Sequence, residues 1–146
     1  MKRSCYPIMF GKAAKYAVMA LVELAAQGNG RPMPIRTLAA ASHVPQPFLA
    51  KLVPQLVRAG IISSTRGKRG GIAFARPPEE ISLAQVLRAV EGERLFTDCP
   101  FTTAPCGGNA DCPLAPLWDT VRDEVVGFLE CTSLARVAKL KEGRHE

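Results

Sequence analysis

Residues 46–76 read QPFLAKLVPQLVRAGIISSTRGKRGGIAFAR, and the change of period inside this stretch decides the fold. Its first part carries Phe48, Leu49, Leu52, Val53, Leu56 and Val57 at helical spacing, starts near Pro47, a residue suited to a first helical turn, and stops at Gly60. Pro54 interrupts the run, so a kink or local irregularity is expected there. After Gly60 the pattern shortens to the β-branched Ile61-Ile62-Ser63-Ser64-Thr65, then the basic, glycine-rich Arg66-Gly67-Lys68-Arg69-Gly70-Gly71, then Ile72-Ala73-Phe74-Ala75. That is a helix followed by a hairpin over 61–76 with a cationic tip.

On the N-terminal side, Tyr16, Val18, Met19, Ala20, Leu21, Leu24 and Ala25 form an apolar face from Lys12 to Gln27, ended by Gly28-Asn29-Gly30. Ile35 to Ser42 follows as a short Ala-rich helix with Leu38 and Ala39 inward, and His43-Val44-Pro45-Gln46-Pro47 is its turn. Three short helices and a basic hairpin describe a winged helix-turn-helix, whose third helix enters the major groove while the hairpin lies on the DNA backbone. The expected fold is mainly α with a small β-hairpin wing, a winged helix-turn-helix domain over 1–92 followed by a long dimerisation helix.

On the C-terminal side, Pro77-Pro78 ends the wing strand, and Ser82 caps a helix, Leu83 to Val90, that stops at Gly92. Residues 93–112 have no helical period and hold three of the five cysteines. Beyond Pro113 one helix over 113–141 is expected, with Leu114, Leu117, Trp118, Val121, Val125, Phe128 and Leu129 on a stripe that Leu134, Val137 and Leu140 extend, and a tail over 142–146. Such a stripe exceeds what a small domain can cover. It should pair with its copy in a homodimer, with Leu117, Val121, Val125 and Phe128 as the seam.

The 146 residues, 47% of them hydrophobic, fit one folding unit with an appended element. Ser4 to Phe10 is too short for a secretory core, Lys12 and Lys15 follow it directly, and no apolar run is long enough to span a bilayer. A soluble, cytoplasmic protein without membrane contact is expected. Residues 1–76 hold 12 Lys or Arg against one acid, Glu23, for a net +11, whereas 77–146 hold 7 basic and 12 acidic residues, for a net −5. A basic half of that strength suits a polyanion, which releases counterions when bound, although a merely solvated basic face has the same composition. Arg66, Lys68, Arg69 and Arg76 around Gly67, Gly70 and Gly71 suit a wing, because glycine lets the tip approach DNA closely while the cations meet phosphate. A phosphate-cradling P-loop is a poorer fit, since a strand and not a helix follows Gly71. In the recognition helix, Gln46 can pair bidentately with adenine, Lys51 suits phosphate, Pro47 sits at the helix start, and Phe48 suits the core or the groove edge.

Cys99, Cys106 and Cys112 stand six to seven positions apart in a Gly/Pro-rich loop that can aim three thiolates at one point. Soft thiolates select zinc, copper(I) or iron-sulfur clusters. A closed zinc site usually includes a close Cys or His pair, and none is present; His43 lies in the helix-turn-helix turn and His145 in the tail. Cluster, zinc and free redox thiols all remain open on spacing alone. Cys5 and Cys131 lie apart, and Cys131 reads as a small buried residue of the long helix. An enzyme with a cysteine nucleophile would need a nearby base that neither histidine supplies, so no enzymatic activity is expected.

Taken together, Tyr16-Ala17-Val18, Phe48-Leu49 to Leu56, Ala59 to Gly67, Gly70-Gly71, Ile81-Ser82-Leu83, Val90-Glu91-Gly92 and the cysteine loop resemble the IscR/NsrR/RirA family of winged-helix regulators over about Phe10 to Val137. The resemblance implies a homodimer on a roughly palindromic double-stranded operator, with a 4Fe-4S or, less favoured, a 2Fe-2S cluster on Cys99, Cys106 and Cys112 of each subunit. It implies a transcription regulator, read as a repressor, that responds to iron, cluster supply, nitric oxide or redox stress. The alternative is a cluster-free regulator using the same cysteines as redox thiols or a zinc site. Ala115 stands where the IscR type has a ligand histidine, and Lys15 where the NsrR type has a ligand aspartate, which leaves Asp98, Asp111, Cys5 or an exogenous group as fourth ligand. Ala50 replaces the family's usual Glu in the recognition helix, so that type's operator preference does not carry over.

Overall fold

A computed structural model describes residues 10–27, 29–97, 101 and 112–144. The order is α1 Lys12–Gln27, α2 Ile35–Ser42, α3 Gln46–Arg58, β1 Ile62–Thr65, β2 Gly71–Phe74, a 3-10 turn Pro78–Glu80, α4 Leu83–Glu91, α5 Arg94–Thr97, α6 Ala115–Cys131 and α7 Leu134–Glu142. This is the mainly helical, winged helix-turn-helix architecture that the periodicity predicts. Helix α1 is its axis: α2, α3, α4 and α7 all pack against it. The fully buried Ala14, Ala17 and Ala20 keep its surface narrow enough for that close approach. Leu21, Leu38, Leu49, Leu56, Ile61, Ile72, Ile81, Val86 and Leu134 complete the core.

The turn between α2 and α3 is made by His43, whose backbone is left-handed at φ 57° and ψ 31°. The Val44 N–H then reaches the Ala39 carbonyl at 3.0 Å, closing the end of α2 and burying Val44. Helix α3 runs on through Pro54 without a break. The N–H that proline lacks would have bonded the carbonyl of Ala50, which lies on the exposed face where water can replace it.

In the wing, β1 and β2 pair antiparallel with Ile62 opposite Phe74 and Thr65 opposite Gly71. Met33 joins the hairpin by exchanging both backbone hydrogen bonds with Ile72, at 2.8 and 2.7 Å. Two glycines of the tip are fixed by their surroundings. A Cβ on Gly71, at φ 148°, would lie 2.4 Å from the Met33 carbonyl oxygen, and one on Gly70 would lie 2.3 Å from that of Thr65. The protein's own backbone requires these glycines, whatever DNA requires.

The C-terminal region differs from a single helix over 113–141. Helix α6 ends at Cys131, Thr132 is extended (φ −105°, ψ 112°), and α7 starts afresh from Ser133, whose Oγ accepts the Arg136 N–H at 3.2 Å. The reason is long-range: the Leu83 N–H donates to Thr132 and the Leu134 N–H to Ile81, both at 2.9 Å. Ser82, opposite Ser133, caps α4 in the same way, with Gln85 closing a capping box. Helix α7 lies back on α1 with Leu134, Ala135 and Ala138 buried, so Leu134 and Val137 belong to the domain body and do not extend the α6 stripe. Two further expectations change. Residues 94–97 of the presumed loop are helical, and Cys131 is exposed.

Glu23, the one acid of the basic half, is buried on α1, accepts from Gln27 Nε2 at 2.9 Å and pairs with Lys141 of α7. Burial, the largest influence, pushes its carboxyl up, but the hydrogen bonds from Lys141 and Gln27 and the nearby charges of Lys141 and His43 together hold it below its ordinary 4.5. A depressed carboxyl contributes stability that is present above its unfolded value and is lost as pH falls through the folded one. Denaturant unfolding of the wild type should therefore show this contribution fading below about pH 4.5. Lys141→Met should cost about 1–2 kcal/mol at pH 7, a figure that allows for the partial exposure of Lys141, and should remove most of that acid dependence. Equal stability of the two proteins across this range would show that α7 is held by apolar packing alone.

Candidate nucleic-acid interface and cysteine loop

Leu49, Leu52 and Leu56 face the core from α3, which leaves Gln46, Pro47, Ala50, Lys51, Pro54 and Arg58 outward. Gln46 and Lys51 are thus free to approach a groove. Phe48 is half-buried, its ring edge-on to Tyr16 with centroids 4.9 Å apart, so it fastens α3 to α1. Beside Gln46 an open cleft between α2 and α3 is lined by Arg36, His43 and Pro45. Arg36 and His43 belong on the same surface, and the sequence reading missed both. The signal for Arg36 was its position in the first turn of the helix preceding the recognition helix.

Arg66, Lys68 and Arg69 are exposed on the wing and make no ion pair among the described residues. Arg76 is different. Its Nε donates to the Gly60 carbonyl at 3.2 Å and its Nη2 to Gln85 Oε1 at 3.4 Å, which ties the end of the wing to α3 and α4. It is a brace, while the other three remain available for phosphate.

Cys112 is half-buried with a free thiol, and its carbonyl accepts the Ala115 N–H at 3.2 Å, so the residue is the root of α6. Cys99 and Cys106 lie outside the described residues, as do Asp98, Asp111 and Cys5. Ala115, in the first turn of α6, has no ligating atom, and Lys15 is exposed on α1. Among the described residues no group of three or more Cys, His, Asp or Glu could hold a metal. The Phe101 ring stands edge-on to Trp118 at 5.7 Å, and Trp118 Nε1 is buried with no hydrogen-bond partner among the described residues. Of the described groups, the Cys112 thiol is a soft donor of the kind a sulfur-rich group takes, and the Trp118 indole N–H could donate to such a group.

Where the cysteine segment leaves the body, the last turn of α4 is fastened on two sides. The Arg88 guanidinium meets Glu93 at 3.2 Å, Glu130 of α6 at 2.8 Å and the face of Phe96 at 4.5 Å. Glu91 accepts the Ala14 N–H at 3.2 Å, capping the start of α1. On α6, Leu114, Leu117, Val121 and Phe128, spaced by three, four and seven, are all exposed, whereas Val125 is half-buried against the core and Leu129 is buried. The stripe continues through Phe128 into a groove lined by Phe10, Val18, Met19, Leu83 and Leu87, with Lys15 as its charged member. Among the described residues no helix is long and apolar enough to cross a membrane.

Comparison with known proteins now places the chain. Residues 10–140 match Rrf2, described as an iron-dependent transcriptional regulator family. An HTH-type transcriptional regulator of Mycobacterium tuberculosis is 36% identical over 86% of this chain and 78% of its own length. IscR of Photorhabdus laumondii is 29% identical over 88% and 77%. Among solved structures, CymR, the global cysteine regulator of B. subtilis, superposes with a TM-score of 0.74 at 26% identity, covering 90% of this chain and 96% of that one. T. potens IscR gives 0.76 at 23% identity over 96% and 93%, a likeness of fold. The chain belongs to the Rrf2 family of helix-turn-helix transcriptional regulators, DNA-binding proteins and not enzymes.

Replacing Arg66, Lys68 and Arg69 together by Ala should weaken binding to every DNA sequence and reduce the salt slope by close to one unit per lost contact. Arg76→Ala should instead lower stability and leave that slope near wild type. Gln46→Ala should relax discrimination at one base pair by about 1–3 kcal/mol. Binding isotherms at several salt concentrations on an operator panel separate the three, and an unchanged slope in the triple variant would remove the wing from the interface.

Proposed function

We propose that this Rrf2-family regulator is a cytoplasmic homodimer, acting as a repressor on a roughly palindromic double-stranded operator, whose affinity is set by an iron-sulfur cluster on Cys99, Cys106 and Cys112. The observation that carries the reading is the position of Cys112: it is the last of the three closely spaced cysteines in the sequence, and its carbonyl is built into the first turn of α6. Whatever ligates that sulfur acts directly on the helix that bears the exposed apolar stripe. An iron-sulfur cluster held there supplies sensitivity to iron, oxygen or nitric oxide, and the family's iron dependence and the IscR relatives favour it. The 4Fe-4S form suits a site in which Ala115 and Lys15 supply no fourth protein ligand.

Dimerisation rests on Leu117, Val121 and Phe128, three large side chains left in water on one face of α6, with Val125 at its edge. Burial of that face against a second copy removes the exposed patch and brings two recognition helices to two half-sites. The CymR likeness supports a second reading, in which the cysteines act as thiols without a cluster.

Anaerobically purified protein should carry iron and sulfide and absorb in the visible. Replacing any one of Cys99, Cys106 or Cys112 by Ala should abolish that absorption and leave a folded dimer with the operator affinity of the cluster-free form. A colourless wild type that binds neither iron nor sulfide would decide for the thiol reading. Val121→Glu, which puts an unpaired charge into the seam, should sediment as a monomer and lose operator binding. A dimer would place the interface away from α6.

A further inference from the structure

Arg88 is more connected than its place on the surface of the domain requires. Helix α4 is docked by Leu83, Ala84, Val86 and Leu87, all buried, and its end is tied to α1 by Glu91. Arg88, with a side chain 34% exposed, lies outside that buried set. Its three partners instead lie on the two segments that frame the cysteine region. Glu93 and Phe96 stand at and in α5, which ends two residues before Cys99, and Glu130 stands in the last turn of α6.

We infer that Arg88 is the positioning residue that transmits the state of the cysteine segment to the far end of α6; the inference rests on the cluster reading above. The argument is geometric. Helix α6 is joined to that segment covalently at its first turn, through Cys112. The far end of α6 is seated on the body by buried Leu129 and by the Leu83 hydrogen bond to Thr132, and Arg88 ties that end, at Glu130 about 25 Å along the helix, to Glu93 and Phe96 just before the cysteine segment. Both ends of α6 are thereby linked to that segment, the first through the chain and the second through Arg88. In a dimer seamed on α6, the direction of α6 sets the separation of the two recognition helices and hence the fit to two half-sites. The guanidinium suits the task because it is planar: its edge donates to two carboxylates while its face lies on the Phe96 ring, an arrangement that a lysine ammonium cannot reproduce.

The test uses full-length protein, loaded anaerobically with iron and sulfide or stripped, and a duplex enriched from a random-sequence pool by the loaded wild type. Wild-type affinities for that duplex in the two states should differ by at least about fivefold. Arg88→Met should keep the visible spectrum and the dimer while the ratio of the two affinities falls close to one. Glu130→Gln should do the same, and Arg88→Lys should not restore the wild-type ratio. A purely structural role would lower both affinities together and leave their ratio intact, and that result overturns the assignment. So does loss of the chromophore in Arg88→Met, which would make Arg88 a support for loading. A wild type with no chromophore, or with equal affinities in both states, sinks the cluster reading and this inference with it.

Discussion

Two backbone hydrogen bonds, from Leu83 to the Thr132 carbonyl and from Leu134 to the Ile81 carbonyl, divide the C-terminal third of the chain into two helices with different destinies. Making them requires extended backbone at Thr132 and Ser133, which a continuous helix cannot offer. Once the break is made, α7 falls onto the small-residue face of α1 and completes the core through Leu134 and Ala138. Helix α6 is left with only Leu129 buried and its outer stripe unpaired. The same exchange sets Ser82 and Ser133 back to back as the caps of α4 and α7, so one junction starts both helices and frees a third for partnership.

Charge is distributed in the basic half with more discrimination than a count reveals. Arg76 spends its hydrogen bonds on Gly60 and Gln85, and these hold the wing in register with the recognition helix. Arg66, Lys68 and Arg69 are exposed and form no ion pair among the described residues, which leaves them available to an anion. Placement of those cations depends on the backbone beneath them: the Met33–Ile72 exchange, which requires Gly71, pins the hairpin to the connection between α1 and α2, and the tight turn against Thr65 requires Gly70. A rigid wing presents its charges at a fixed distance from Gln46 and Lys51, as simultaneous groove and backbone contact requires.

The last turn of α4 stands where three parts of the molecule meet. Glu91 caps α1 from it, and a Cβ at Gly11 would come within 2.7 Å of that carboxylate, so the N-terminal approach to α1 is shaped by the same turn. Arg88 reaches the other way, to α5 and α6.

The helices α1 to α4, the hairpin, the outward faces of Gln46, Lys51, Arg66, Lys68 and Arg69, and the family itself were legible in the sequence. Periodicity of apolar residues, capping serine and turn glycines act over a few neighbours and leave a local mark. Hidden from that reading were the break at Thr132, the inward turn of Leu134, the exposure of Cys131, the helix at 94–97, the brace formed by Arg76 and the place of Arg36 and His43 in the cleft beside Gln46. Each of these depends on a partner far along the chain or across the surface: Thr132 is broken by Leu83, Arg76 is held by Gly60 and Gln85, and α7 is turned inward by α1. An apolar stripe has the same period whether its destination is the domain's own core or another subunit. Sequence alone therefore determined which segments are helix and which hairpin, and tertiary structure alone decided which apolar face was consumed by the fold, because burial is settled by what arrives from elsewhere in the chain.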